Sequence, residues 1–212
     1  MVYNNGMTND INASESKKRV RRDRREEILQ AASNLFGIHG FRGTSLARIA
    51  ETVDLTEPGL LHYFPSKVHL LQEVLAYRDA QDEEKYSSLV DPDNLSLSKY
   101  FSLLEKLVAQ NEEITGLVRL FTILVSESIR SDHPSHDYFV NRYGRARETL
   151  AGPFSTLDDI EIPADIDLNN LSTLIIAVMD GLQIQWLLDP ENVSMSQTFK
   201  LFSEIVINYL TK

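Results

Sequence analysis

Apolar residues recur along this chain at intervals of three and four positions, with polar residues between them. That spacing places apolar side chains on one face of an α-helix, whereas a half-buried strand needs strict alternation. No alternating segment bounded by turn residues occurs, so the sequence predicts an all-α fold. Interruptions by proline, glycine and aspartate predict about nine helices, four in an N-terminal head and five in a larger C-terminal body.

Capping residues set the predicted limits of the head helices. Asp23 and Glu26 have the spacing of a capping box, Gly40 is suited to end a helix, and Thr44 and Thr56 are suited to begin the next two. The predicted head helices run from about Arg24 to Ile38, from Ser45 to Val53, from Thr56 onward and from Ser66 onward. The predicted body helices run from about Leu97 to Glu112, Ile114 to Ser131, Ser135 to Ser155, Leu168 to Leu188 and Met195 to Leu210.

The second and third helices have the spacing of a helix-turn-helix, in which one helix braces another that enters the major groove of DNA. Their apolar positions form one inner face: Leu46, Ile49, Ala50, Val53, Leu60 and Leu61. The outer surface is then left to Thr56, Glu57, Gly59 and His62. An ordinary helical hairpin has the same pattern, so periodicity alone leaves both interpretations open.

Charge is distributed unevenly along the chain. The net charge of -10 opposes binding to nucleic acid. However, ten basic and six acidic residues lie between Lys17 and Lys67, whereas 11 basic and 23 acidic residues lie from Val68 onward. This asymmetry predicts a basic head that meets DNA and an acidic body held away from it.

Several chemistries are not expected. Cysteine is absent, which excludes disulfides and thiol catalysis. The polar N-terminus lacks a signal-peptide core and no run of about 18 apolar residues occurs, so a cytoplasmic location without membrane contact is expected. No nucleophile elbow or phosphate loop is present, so we expect neither an enzyme nor a cofactor. His133 and His136 lie beside aspartates at a helix boundary, where such residues serve as caps, so no metal is expected.

Two motifs decide between the open interpretations. They are Gly43-Thr44-Ser45-Leu46-Ala47-Arg48-Ile49-Ala50 and Leu60-Leu61-His62-Tyr63-Phe64-Pro65-Ser66-Lys67. Together with the preceding Ile28 to Phe41 segment they resemble the TetR family. The resemblance implies a three-helix DNA-binding head with a helix-turn-helix, and a divergent helical body that dimerises and binds a small molecule. It gives three regions: a disordered basic arm (1–22), a helix-turn-helix domain (23–70) and a ligand-binding and dimerisation domain (71–212).

The resemblance also implies which residues contact DNA. Tyr63 and Lys67 match positions that clasp the phosphate backbone, Pro58 matches a position that touches a thymine methyl, and Arg48 lies beside a base-reading position. The full predicted set is Thr44, Ser45, Arg48, Thr56, Glu57, Pro58, Gly59, His62, Tyr63 and Lys67. Departures from the family pattern at Ala47, Gly59 and Leu61 suggest thin base readout. They motivate a hypothesis that the arm Lys17 to Arg25 adds affinity, against the alternative of a solvated tail.

The last two helices carry apolar stripes that the resemblance implies form a dimer interface, the alternative being monomer core. These positions are Leu171, Leu174, Ile175, Val178, Leu182, Trp186, Phe199, Phe202, Val206 and Tyr209. An effector pocket is expected among the middle helices, lined by Phe101, Leu104, Leu120, Phe121, Leu124, Tyr138, Phe139 and Tyr143. Its apolar character favours a lipophilic effector.

The resulting hypothesis is a homodimeric repressor that binds a palindromic operator in double-stranded DNA and is released by its effector. Two alternatives stay open: a regulator without a small-molecule ligand, and a helical interaction protein that has lost DNA affinity.

Overall fold

The computed structural model describes residues 6–89, 95–155, 157, 163 and 165–211, and side chains from residue 23 onward within those ranges except 81–89 and 155. These residues form nine α-helices and no strand. The helices are α1 (Gly6–Gly43), α2 (Leu46–Thr52), α3 (Glu57–Tyr63), α4 (Lys67–Leu89), α5 (Leu97–Glu113), α6 (Thr115–Ser128), α7 (His136–Ala151), α8 (Leu168–Leu188) and α9 (Met195–Leu210), with a 3-10 turn at Gly152–Ser155. The predicted all-α fold is therefore confirmed.

The chain forms two compact units, Met1–Arg78 and Asp79–Lys212. The division falls inside α4, later along the chain than the predicted boundary after residue 70. The first unit contains the helix-turn-helix and the second contains the body helices.

Helix α1 begins much earlier than predicted. It is helical from Gly6, so Asp23 lies within the helix and does not cap it, and the predicted disordered arm (1–22) is helical over its described part. Residues 7–22 contain no proline or glycine that would stop a helix, and residues 17–22 are nearly all Lys and Arg, which are good helix formers. Residues 1–5 and the side chains of the arm lie outside the described residues.

Helix α1 changes direction at Gly40, as the sequence predicted. Gly40 is buried and has φ 69° and ψ 174°, a conformation that is essentially confined to glycine. The helix is therefore kinked at Gly40, and only Thr44 and Ser45 separate its end at Gly43 from the start of α2.

The core of the first unit forms on the inner faces of its four helices. Its largest fully buried side chains include Ile28, Phe36, Ile49, Leu60, Phe64, Leu70, Leu71 and Leu75. Because α2 and α3 are only seven residues long, their stability depends on this packing rather than on helix propensity.

The core of the body joins α5, α8 and α9. Tyr100, Phe101 and Phe199 are fully buried, and the Tyr100 hydroxyl donates a hydrogen bond to the Leu150 carbonyl oxygen at 2.9 Å. The Glu112 carboxylate accepts hydrogen bonds from the backbone N–H and the hydroxyl of Ser196, both at 3.1 Å. This carboxylate therefore satisfies polar groups at the start of α9 and complements its dipole.

The backbone conformation of Gly40, which other residues adopt only with strain, gives a first prediction about stability. Replacing Gly40→Ala forces a side chain into a glycine-only conformation and should lower the free energy of unfolding by about 1–3 kcal/mol. Gly116→Ala is the matched control, because its added Cβ would meet nothing within 4 Å, and it should leave stability unchanged or raise it by up to about 1 kcal/mol. Urea unfolding followed by circular dichroism measures both. Equal stability of the two variants would contradict the assignment.

Candidate nucleic-acid interface and cavity

Helix α3 presents a polar face to solvent and packs its apolar side inward. Thr56, Glu57, Pro58 and His62 are exposed, whereas Leu60 is fully buried. The Thr56 hydroxyl caps the helix by accepting a hydrogen bond from the Gly59 N–H at 3.2 Å, as predicted. Pro58 lies in the first turn, where its missing N–H costs no hydrogen bond. The exposed face is therefore held in a defined orientation.

Helix α2 supports α3 from beneath. Its Ile49 and Ala50 are buried, and Arg48 is exposed on the other side. The turn between the two helices places Asp54 in the left-handed region, with φ 52°, which aspartate tolerates better than most residues. The geometry is that of a helix-turn-helix with Arg48 on its outer surface.

Thr44 does not have its predicted role. Ser45 caps α2 by accepting a hydrogen bond from the Arg48 N–H at 3.2 Å. The Thr44 side chain is only 1% exposed and donates its hydroxyl to the carbonyl oxygens of Leu35 and Gly40, at 3.1 and 2.9 Å. It satisfies the end of α1, so its hydroxyl is not available to a phosphate.

Two arginines of α1 hold the helix-turn-helix from behind. Arg24 donates to the carbonyl oxygen of Val53, at the end of α2. Arg25 donates to the carbonyl oxygen of Tyr63, at the end of α3, at 2.9 Å, and its guanidinium lies 4.4 Å from the center of the Phe64 ring. Both cations complement helix C-termini. Arg24 and Arg25, the last residues of the predicted DNA-binding arm that bear charge, thus form contacts within the protein.

Tyr63 and Lys67 lie where α3 ends and α4 begins. Both side chains are half-buried. The Tyr63 ring meets His62 edge-on, with centers 5.9 Å apart, and the Lys67 ammonium lies 4.4 Å from the center of the Phe41 ring. These contacts limit the rotamers of both residues and place them beside the exposed face of α3.

The body contains a small cavity of about 150 Å³. Residues of α5, α6, α7 and α8 line it: Asn111, Leu117, Val118, Phe121, Thr122, Val125, Ser126, Phe139, Arg142, Tyr143, Asp180, Gln183 and Ile184. Phe121, Phe139 and Tyr143 from the predicted pocket set thus line this cavity, and the lining is more polar than the sequence led us to expect.

The other predicted pocket residues do not line this cavity. Phe101, Leu104, Leu120 and Leu124 are at most 1% exposed. Their side chains are packed into the interior, as apolar side chains on inner helix faces usually are. Tyr138 is half-buried and stacks edge-on against Phe139, with ring centers 5.0 Å apart. Periodicity identified these inner faces but not which part of them borders a space.

One carboxylate dominates the chemistry of the cavity. Asp180 of α8 accepts a hydrogen bond from the Tyr143 hydroxyl at 2.6 Å. Burial raises the pKa of Asp180 above its usual value, and the hydrogen bond from Tyr143 and the charge of Arg142 oppose that rise. Burial and the hydrogen bond to Asp180 also raise the pKa of Tyr143. Desolvation of the carboxylate is thus the larger effect.

Arg142 is held by an acidic partner outside the cavity lining. Its Nε donates to Asp79 at 3.1 Å, and Arg145 contacts the second oxygen of the same carboxylate at 3.2 Å. The Arg142 guanidinium also lies 4.6 Å from the center of the Phe121 ring. These contacts fix Arg142 at the edge of the cavity.

His133 and His136 act locally, which agrees with their expected role at a helix boundary. His133 Nδ1 lies 3.0 Å from the Ser128 hydroxyl and accepts from the Ser135 N–H at 3.3 Å. His136 Nδ1 lies 2.8 Å from the Ser128 carbonyl oxygen. Both rings join the end of α6 to the start of α7.

Family models match both units of the chain. A model described as bacterial regulatory proteins of the tetR family matches residues 28–74, and one described as the C-terminal region of BetI-type transcriptional repressors matches residues 99–209, more than half the chain. The chain belongs to the TetR family. The fold and family are those of transcription regulators and not of enzymes.

Individual relatives agree with this membership. The repressor KstR2 of Mycolicibacterium smegmatis is 30% identical over 59% of this chain and 60% of its own, and the nucleoid occlusion factor SlmA of Idiomarina loihiensis is 26% identical over 48% and 52%. The matches to these curated relatives thus span about half of their length. A regulator from Saccharomonospora viridis solved in complex with choline has the same fold, with a TM-score of 0.72 at 22% identity, over 86% of this chain and 96% of its own.

The predicted interface stripe of this TetR-family protein divides into three sets. Ile175, Leu182, Trp186, Phe199 and Val206 are at most 8% exposed and belong to the core of the body. Leu171, Val178 and Phe202 are partly buried against that core. Leu174 and Tyr209 remain exposed, at 51% and 61%. A stripe of apolar residues identifies an amphipathic face but does not say whether the same chain covers it.

Asp180 gives a prediction about stability. Its pKa is raised in the folded protein, so it destabilises the fold at neutral pH, and that cost disappears as the pH falls through the folded-state pKa. Asp180→Asn removes the charge but keeps an oxygen that can accept from Tyr143. We expect a higher melting temperature than wild type at neutral pH, with the difference shrinking in acid. Thermal melts across a pH series test this, and a variant less stable at neutral pH would contradict it.

Proposed function

We propose that this protein is a transcription repressor that acts in the cytoplasm, binds a palindromic operator as a homodimer, and is released by a small effector bound in the body cavity. The exposed polar face of α3 carries the proposal. The opposite side of this helix is anchored by the buried side chain of Leu60, and the polar face is flanked by Arg48, Tyr63 and Lys67. An exposed helix of this kind can enter a major groove, while flanking cations contact phosphates.

Without Thr44, the predicted DNA-contact residues all lie at least partly on the surface. Ser45, Arg48, Thr56, Glu57, Pro58, Gly59, His62, Tyr63 and Lys67 have at least part of their surface exposed. Thr44 and the two bracing arginines contribute indirectly, because they fix the helices that bear these residues. Ala47 is exposed but too small to reach far into a groove, which supports a larger share for backbone contacts in the total affinity.

The homodimer is supported by a second apolar surface on α8 and α9. Leu174, Ile184 and Leu188 of α8 are 46–81% exposed, and Leu201, Ile205 and Tyr209 of α9 are 57–61% exposed. Only 22% of the most apolar stretch of α8 is buried within this chain. By length and composition alone α8 is apolar enough to cross a membrane, but its inner face belongs to the core of the body. A second copy of the chain that covers the outer face would explain why these apolar side chains are exposed in one chain and why α8 is apolar on its outer side as well.

Release by an effector requires that the effector bind one state of the dimer better than the other. The cavity supports such a role because it brings charged and polar groups together inside an otherwise apolar body. Relatives offer precedents of different kinds, a repressor in one case and a choline complex in another.

The DNA-binding proposal predicts different effects for two cations. Lys67→Ala should weaken binding to all sequences similarly and lower the slope of log affinity against log salt by about one. Arg48→Ala should also relax the preference at one base pair by about 1–3 kcal/mol. The operator is first selected from random duplexes, and affinities are then measured by fluorescence anisotropy.

Lys106→Ala is the control for lost charge, because Lys106 is exposed on α5 in the other unit, and its affinity should equal wild type. Thermal melts identify any loss of stability from the Lys67 contact with Phe41. A protein that selects no sequence at low salt would favour the alternative of a helical interaction module.

The dimer proposal predicts that one charge on the outer face of α9 separates the protomers. Ile205→Glu places a carboxylate in the proposed interface and should give a monomer by light scattering after gel filtration. Ile129→Glu is the matched control, since Ile129 is 78% exposed but lies at the end of α6, and it should remain dimeric. If both variants keep the wild-type mass, the interface lies elsewhere.

A further inference from the structure

The cavity in the body contains a carboxylate, Asp180, that forms no ion pair with any side chain described in the structure. Among the described side chains, Tyr143 is the one that donates a hydrogen bond to Asp180, through a neutral hydroxyl. Asp180 is also the only charged residue in α8. A buried carboxylate is costly unless a cation or several donors compensate it. The second carboxylate oxygen is therefore suited to a positively charged group that comes from outside the chain.

Arg142 does not supply that compensation at contact distance. Its ion pair is with Asp79, at 3.1 Å, and Arg145 adds a second positive charge to the same carboxylate. Arg142 lines the cavity and its charge acts on Asp180 from beyond ion-pair distance, but its guanidinium is held by Asp79. An anionic ligand would have to compete with Asp79 for Arg142 and would meet the repulsion of Asp180.

Aromatic rings line the remaining walls. Phe121 and Phe139 meet at right angles with centers 6.1 Å apart, and Tyr143 adds a third ring. Aromatic faces attract cations because of their negative quadrupole, most strongly where water is excluded. The Arg142 guanidinium above Phe121 is an example of this interaction at the edge of the cavity.

The volume limits the size of the ligand. A cavity of about 150 Å³ holds roughly a benzene-sized molecule. Drug-sized ligands need about 300–1,000 Å³. The size of the cavity therefore argues against a large effector, and its lining argues against the lipophilic effector that the apolar sequence pattern favoured.

We propose that the cavity binds a small organic cation, with Asp180 as its counter-ion and Phe121, Phe139 and Tyr143 as its aromatic walls. This assignment rests on the proposed function only in naming the cavity as the effector site. Binding itself is a property of the body and requires no DNA.

The experiment compares pairs of ligands that differ in charge but not in shape. Choline is tested against its carbon analogue, in which the quaternary nitrogen is replaced by carbon, and butylammonium is tested against butanol. Isothermal titration calorimetry on the full-length protein without DNA should give at least about tenfold tighter binding for the cation of at least one pair. Affinity for that cation should fall in acid, because protonation of Asp180 removes its charge.

Two variants locate the site. Asp180→Asn keeps the shape of the side chain and should weaken cation binding by about tenfold or more while leaving the neutral analogue unaffected. Glu148→Gln removes one negative charge from an exposed position on α7 outside the cavity lining, and it should bind as wild type does. Were Asp180→Asn to fold poorly, the wild-type comparison of charged and neutral ligands and its pH dependence still test the proposal.

Three results would overturn the proposal. Equal or tighter binding of the neutral analogues would indicate a lipophilic site, and binding of a carboxylate of the same size instead of the cations would indicate Arg142 as the anchor. Absence of binding by both cations at millimolar concentration would also reject it. None of these results tests operator binding. A failure of operator binding would be seen in the selection from random duplexes, which is a separate experiment.

Discussion

The orientation of α3 depends on two arginines that reach it and its neighbour from α1. Arg24 and Arg25 are adjacent in sequence, yet they contact carbonyl oxygens at the ends of two different helices, Val53 and Tyr63. Helices of seven residues have little stability of their own, and their last carbonyls need partners. Both guanidinium groups donate to those carbonyls, and that of Arg25 also packs against the buried ring of Phe64. A basic pair that looks like part of a DNA-binding arm thus supports the two helices that carry the proposed DNA contacts.

The body follows a different principle, because its most informative residue makes the fold less stable. Asp180 is desolvated, and its neutral partner Tyr143 compensates that cost only in part. The carboxylate of Asp79 is different, because two arginines contact it at 3.1 and 3.2 Å. A desolvated carboxylate with a perturbed pKa in an aromatic cavity is a candidate for a binding site, and this difference from Asp79 is the reason that the proposed ligand is placed at Asp180.

Sequence patterns predicted elements better than surfaces. The limits of α8 and α9 agree with the structure because Asp167, Asp189-Pro190 and Ser194 stop or cap helices by local chemistry. The predicted start of α1 was wrong because Asp23 and Glu26 have the spacing of a capping box, whereas no proline or glycine between residues 7 and 22 stops the helix before them. Thr44 was misassigned because a hydroxyl at a helix start can equally turn back to the previous helix. The lone charge of Asp180 within an apolar helix was a signal available in the sequence, although it does not reveal that Arg142 and Tyr143 lie beside it.

The apolar composition of α8 does not reveal what covers each of its faces. A helix that is apolar on all sides must be covered on all sides. One face of α8 enters the core through Ile175, Leu182 and Trp186, a second borders the cavity through Asp180 and Gln183, and a third remains exposed through Leu174 and Leu188. Ile184 belongs to both the second and the third, since it lines the cavity and is 46% exposed. If a second copy covers the exposed face, it also closes over a wall of the cavity, and ligand binding and dimer geometry then share one side chain.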